Sequence, residues 1–313
     1  MVQTEIANLL PGVWRIRLPF HAELNHVNVH LLKQGEAFVL VDCGFGSSAA
    51  FQVLEASLTQ LGVEWKHIRE IVLTHGHPDH MGLAGRILDL SGARLAMHPR
   101  EVNFLARVAD ASAQPQLLDS KLRDWGAPLQ QVDRVIDAYL GVRAEFRHLT
   151  PDRALMDGAL IESDAGIWEA IHTPGHSPGH VCLFNPEQRT LISGDHVLGK
   201  ITPHIAWSEE SDLLEEFLAS QQSIGRLAAD SVLPSHGDPF GGLSSRTTEI
   251  VEHHELRCRL IQRAQDEGAR TAHDITRVLW RDELSPFQYR FAMYEVMAHL
   301  KYMDSGNFLR RRA

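Results

Sequence analysis

THGHPDH, residues 74 to 80, decides how the rest of this 313-residue chain is read. It places four side-chain donors within six residues, His75, His77, Asp79 and His80, directly after the apolar, β-branched run IREIVLT, residues 68 to 74. A strand that runs into such a loop is where α/β proteins place functional side chains. In extended backbone, residues two apart share a side, so His75 and His77 point the same way and can hold one ion. Asp79 and His80, where the chain begins to turn, face a second. A solvated polar loop accounts for one histidine, not for this pattern.

A catalytic metal needs about three protein ligands and an open position, so two histidines per ion are not enough. Three later strand ends each offer one donor: HTPGH after IWEAIHT, SGDH after TLISGD, and PSHG after DSVLP. The stretch HTPGHSPGH, residues 172 to 180, spaces three histidines at intervals of four, but Pro174 and Pro178 forbid the regular helix that would align them. His172 is still inside its strand, and His180 begins the returning one. His176 follows the Thr-Pro-Gly turn and reaches past the sheet edge, so it is the residue assigned to the ion, with His172 and His180 in supporting or packing positions. Asp195 offers a carboxylate to both ions, and an anionic bridge offsets the repulsion of two dications about 3.5–4 Å apart. His236 completes the second ion.

Taken in order, THGHPDH, TPGH, SGD and PSHG resemble the metallo-β-lactamase superfamily, over residues 10 to 240. The resemblance implies an α/β fold, an αββα sandwich with a dinuclear site at one edge. It assigns His75, His77 and His176 to one metal, Asp79, His80 and His236 to the other, and Asp195 to the bridge. It also implies that Asp42, in VDCG, supports the metal loop from behind without binding metal. Diiron flavoproteins of the superfamily usually carry an acidic residue where this chain has His77, so two zinc ions are expected, with manganese or iron as substitutes. GDHVLGKITPHI, residues 194 to 205, and the helical tail resemble the glyoxalase II-like branch, whose tail is a small winged-helix-like domain.

The periodicity predicts strands over 13–18, 27–32 and 37–41, a helix over 48–61, a strand over 68–74, a helix over 82–91 and a strand near 93–98. Residues 99 to 140 then show helical spacing and are expected to form an insertion over the metals, a cap, with Tyr139 near substrate or in the core. Short strands return from 159 to 233, and helices follow over 249–267, 271–279 and 286–305. The expected domains are a hydrolase domain over 1–240, with the cap at 99–140, and a helical, winged-helix-like domain over 245–313. The tail is expected to pack on the body or to pair subunits as a homodimer. Lys200 and His204, after the bridging aspartate, are read as structural residues near the pocket mouth.

The formal net charge is -10, with 12 Lys+Arg and 10 Asp+Glu after residue 240, so the body is acidic and nucleic acid is disfavoured as a partner. Charged residues interrupt every apolar run near the start, so no membrane span or leader is read and the expected location is cytoplasmic. Cys43, Cys182 and Cys258 form no CxxC and are read as buried small hydrophobes. Two zinc ions lower the pKa of a shared water, with Asp79 ligating and accepting its proton. The expected reaction is therefore hydrolysis of a small carboxylic ester, thioester or lactone, with phosphotriesters as a promiscuous class. A phosphoesterase or ribonuclease using the same metals is the alternative, and a binding protein with a decayed site is set against the full complement of seven ligands.

Overall fold

The computed structural model describes residues 3–20, 25–108, 114–143, 149–280, 283–306 and 308. Seven strands form the first sheet in chain order: β1 (Glu5–Leu10), β2 (Val13–Pro19), β3 (His26–Gln34), β4 (Ala37–Val41), β5 (Ile68–Val72), β6 (Arg94–Met97) and β7 (Arg153–Ala154). The second sheet has β8 (Leu160–Ser163), β9 (Gly166–His172), β10 (Val181–Asn185), β11 (Thr190–Gly194) and β12 (Ser231–Pro234), again side by side in chain order. The helices are α1 (Ser48–Gln60), α2 (Pro78–Met81), α3 (Ala84–Ser91), α4 (Pro99–Val108), α5 (Gln114–Asp124), α6 (Leu129–Arg143), α7 (Leu213–Ile224), α8 (Leu243–Asp266), α9 (Ala272–Leu279) and α10 (Pro286–Asp304).

Successive strand residues point to opposite faces, and here each face meets a different core. Val39, Val41, Val72 and Ala96 face Val181, Leu183, Ile192 and Leu233 across the space between the sheets, around the fully buried Trp168. Their neighbours Leu40, Ile71, Leu95 and Met97 pack outward against α1 and α3 through Phe51, Leu54 and Ile87. On the far side Cys182, Leu191 and Val232 pack against Phe217 and Leu218 of α7 and Ile250 of α8. The layers are therefore helix, sheet, sheet, helix, and strands buried on both faces read as the apolar runs seen in the sequence. All three cysteines are free and buried.

Strand direction brings the motifs to one edge. β4, β5 and β6 are parallel, so Asp42 and the Thr74 loop leave the first sheet on the same side. β11 and β12 are parallel and β9 runs with them, antiparallel to the intervening β10. The ends of β9, β11 and β12 therefore leave the second sheet together. Val181 donates its N–H to Thr74 O at 2.9 Å, and Asn28 to Ser235 O at 2.7 Å, so the two sheets are joined beside the site. Gly46 and Gly82 let the VDCGFG loop touch the start of the α2–α3 turn, because a β-carbon at Gly82 would collide with the Gly46 backbone.

The expected strands and helices appear with small shifts of their ends; α8 begins at Leu243 rather than at Glu249. The periodicity misses β1, which is an edge strand with no fully buried residue, and α7, between SGDH and DSVLP. Among the described residues the tail holds helices and no strand. The insertion and tail are not independent: Leu118 and Leu122 of α5 and Val132 and Val135 of α6 share one core with Ile261, Ile275, Met293 and Val296. Tyr139 belongs to this seam, where Arg290 lies 5.3 Å from its ring. Leu122 is fully buried, so Leu122→Ala is expected to cost about 2–5 kcal/mol. That loss should lower the melting temperature of the tail and the insertion together, as followed by hydrogen exchange of α6 and α10.

Candidate metal centre

Asp42 follows β4 in the left-handed region, φ 60°, which a short polar side chain tolerates when its surroundings hold it. Its carboxylate accepts from Thr74 N–H at 2.8 Å through Oδ1 and meets His80 Nδ1 at 2.8 Å through Oδ2. It thus fixes both ends of the histidine loop and turns His80 Nε2 inward. Three of the other rings are held the same way. His75 Nδ1 is 3.0 Å from Thr74 Oγ1, His176 Nδ1 is 2.9 Å from His204 O, and His236 Nδ1 is 2.7 Å from His26 O. A hydrogen bond on one imidazole nitrogen sets the tautomer and leaves the other free to bind a metal.

The structure brings all seven residues named from the sequence together. His77 Nδ1 lies 2.9 Å from His75 Nε2 and 3.0 Å from His176 Nε2, and one N–H cannot point at both. His236 Nε2 lies 3.2 Å from Asp79 Oδ2, and His80 Nε2 lies 3.6 Å from the same oxygen. Asp195 Oδ2 stands between the groups, 3.5 Å from His80 Nε2, 3.6 Å from His176 Nε2 and 3.4 Å from His236 Nε2. Ligands about 2.0–2.1 Å from a tetrahedral ion stand about 3.3–3.4 Å apart, so the 3.4–3.6 Å between Asp195 Oδ2 and the three imidazoles suits a shared ion better than direct pairing. His80 Nε2, Asp195 Oδ1 and His236 Nε2 are buried without a hydrogen-bond partner, which a folded protein rarely leaves so. Three groups of donors here could hold ions: His75, His77 and His176; His75, His80 and Asp195; Asp79, His80 and His236. Their chemistry fits a divalent metal.

The two sides differ electrically. Burial pushes His77 down to about 3 and His75 well below its ordinary value, and it lowers His176 despite Asp195 beside it, so all three rings are neutral and ready to donate. Burial also works against charging His80 and His236, but the carboxylates outweigh it. Asp195, Asp79 and Asp42 hold His80 well above its usual value, and Asp195 with Asp79 pushes His236 up to about 10. Asp79 and Asp195 move down in turn, although burial opposes them, because His80 and His236 face them. Without metal, the Asp79 side therefore holds protons that an ion must displace.

His180 is not among these donor groups. Its Nε2 accepts the Asp195 N–H at 3.2 Å and its Nδ1 meets Thr173 Oγ1 at 2.8 Å, so it holds the backbone of the shared aspartate. His172 stacks on His98 with ring centres 4.0 Å apart and bonds Pro178 O through Nε2. Lys200 is exposed, and His204 points its ring away from the ligands towards α10.

Sequence reasoning missed Glu101, in the first turn of α4. Fully buried, it accepts from Gly76 N–H at 2.9 Å through Oε1, and through Oε2 from Ser177 Oγ at 2.9 Å and Gly179 N–H at 2.8 Å. It therefore ties the loop carrying His75 and His77 to the loop carrying His176. Gly179 permits this, since a β-carbon there would strike the Glu101 backbone. Burial raises the pKa of Glu101 while these three bonds favour its charge. Glu101→Gln keeps the shape but turns one acceptor into a donor facing donors. We expect it to lower metal affinity by about 10- to 100-fold, measured by chelator competition, with the fold retained.

The family profile described as Metallo-beta-lactamase superfamily matches residues 22–252, and one described as Metallo-beta-lactamase-like, C-terminal domain, matches residues 258–313. The probable metallo-hydrolase YqjP of Bacillus subtilis is 24% identical over 305 residues, covering 93% of this chain and 91% of that protein. The human acyl-coenzyme A thioesterase MBLAC2 is 28% identical over 239 residues, covering 74% of this chain and 80% of its own length. The crystal structure of the metallo-beta-lactamase family protein TTHA1429 from Thermus thermophilus superposes with a TM-score of 0.82 at 29% identity, covering 96% of this chain and 95% of that one. A profile that spans most of the chain, and a metal-competent donor cluster where two sheets meet, agree on one conclusion: the chain belongs to the metallo-beta-lactamase superfamily and is a hydrolase.

Proposed function

We propose that this chain is a dinuclear zinc hydrolase of small carboxylic esters, thioesters or lactones, with acyl thioesters as its main class. The observation that carries the reading is the Asp195 carboxylate, with one oxygen 3.4–3.6 Å from three imidazoles that belong to two donor groups. In this reading His75, His77 and His176 hold one zinc, Asp79, His80 and His236 the other, and Asp195 both. Bound there, two zinc ions supply Lewis acidity and a water of lowered pKa, for which manganese or iron can substitute. The protein does the rest. Asp79 is ionised and takes the proton of the attacking water, Asp195 fixes the separation of the donor groups, and Glu101 keeps the two histidine loops together.

The surroundings favour an acyl substrate. Leu105 of α4 lies over Gly76, between the first two histidines, and Phe20 stands 6.4 Å from the His236 ring and 5.4 Å from Phe45. A thioester suits such a site because a thiolate, with an ordinary pKa near 8.5, leaves without a proton donor. The likeness to a thioesterase points the same way. We keep the division into a hydrolase domain over 1–240, with the 99–140 insertion as its cap, and a helical domain over 245–313. No helix among the described residues is long and apolar enough to cross a membrane, and a small molecule is the expected partner. The test is a panel of acyl-coenzyme A and short thioesters, lactones, aryl esters, a phosphotriester and RNA, assayed with zinc-loaded protein. Turnover of thioesters with RNA inert supports the reading. Salt-sensitive RNA cleavage with thioesters inert would overturn it.

A further inference from the structure

The chain between Asp195 and α7 has no regular structure, yet helices from the far end of the sequence hold it at three places. Arg246 of α8 donates to Leu198 O at 2.7 Å and to Ile201 O at 2.8 Å. Lys301 of α10 donates to Ser208 O at 2.8 Å, Glu209 O at 3.2 Å and Ser211 O at 3.1 Å. Between them, His204 donates through Nε2 to Phe291 O of α10 at 2.8 Å, and its ring packs edge-on to Phe291 with centres 4.6 Å apart. The carbonyl of that same His204 is the acceptor for His176 Nδ1–H.

We propose that His204 is a positioning residue through which α10 fixes the metal ligand His176, so that the C-terminal helices form part of the metal site although they contribute no ligand. The ring anchors the residue to α10, the anchored backbone presents its carbonyl to His176, and this bond sets the tautomer that leaves His176 Nε2 free to donate. Arg246 and Lys301 hold the flanks of the loop without touching a ligand. The inference rests on the reading of His176 as a ligand, and its test is chosen so that the two can fail separately.

The experiment measures stepwise zinc affinity by chelator competition and the absorption spectrum of the cobalt-loaded full chain. It compares His204→Ala, His204→Gln and Lys301→Met with the parent, circular dichroism confirming the fold. His204→Ala is expected to weaken one of the two zinc ions by about 10- to 100-fold and to alter the cobalt spectrum. His204→Gln, which keeps an N–H, should recover part of that affinity, and Lys301→Met should leave it near the parent value. Should His204→Ala not fold, the shorter amide of His204→Asn takes its place. Two parent-like zinc affinities in the variant lacking the ring would overturn the inference, as would an equal loss in Lys301→Met. If the parent itself binds no zinc, the metal reading fails and not the relay alone.

Discussion

His176→Ala is expected to lower kcat/KM by about 10³-fold or more and to remove one of the two metals. Its Nε2 lies 3.0 Å from His77 Nδ1 and 3.6 Å from Asp195 Oδ2, at one corner of the donor cluster. Lewis-acid stabilisation is worth several kcal/mol, and each 1.4 kcal/mol is about tenfold in rate. The neighbouring histidines separate the effect of the motif from that of the ligand. His172→Ala, which loses only the stack on His98 and a bond to Pro178 O, should stay within about tenfold of the parent. His180→Ala frees the Asp195 backbone and should fall between them, about 10- to 100-fold down. Metal content and steady-state kinetics on the same preparations decide the order. Loss of metal in His180→Ala with full metal in His176→Ala would reverse the assignment.

Asp195→Asn is expected to have an effect of similar size by a different route. The substitution keeps the shape but removes the negative charge that faces His80, His176 and His236, so both donor groups lose an anionic oxygen and the two ions of the proposed centre would lose their bridge. Metal content should drop from two ions to one or fewer, with kcat/KM down by about 10³-fold. A second readout is available without metal. Burial alone would lower the pKa of His236, and Asp195 is the foremost cause of its rise to about 10, so the variant should titrate His236 at a clearly lower pH. In the metal-free parent the two carboxylates favour protonated His236, so zinc must displace that proton and its affinity is expected to climb as pH rises towards 10. Imidazole NMR of the metal-free proteins reads the first effect, and zinc titration between pH 6 and pH 9 reads the second. An unchanged His236 titration in the variant would contradict the electrostatic account.

The donor cluster was legible because each of its residues sits in a short-range signal. His75, His77, Asp79 and His80 are fixed by spacing within one loop, and His176, Asp195 and His236 each follow, within four residues, an apolar run that predicts a strand. Parallel pairing of β4 with β5 and of β11 with β12 then forces those ends to one edge. Glu101 was not legible, since a glutamate in the first turn of a helix is ordinary, and its meaning lies in three donors 25 to 78 positions away. His180 is read as a supporting residue and His204 as a structural one, but their partners are hidden for the same reason: His180 meets the Asp195 N–H and the His204 carbonyl meets His176, and backbone groups carry no residue code. The helical periodicity of residues 99–140 was readable, but not that α5 and α6 would share a core with α8, α9 and α10. An amphipathic stripe reports that a face is buried and does not report against what.

Two donor groups that share Asp195 are proposed to hold two ions. The most direct measurement is the metal content of the zinc-supplemented, dialysed full chain by elemental analysis, alongside Asp195→Asn. The account predicts about two zinc ions per parent chain and one or fewer in the variant. Less than one transition metal per parent chain, or equal content in both proteins, would contradict it.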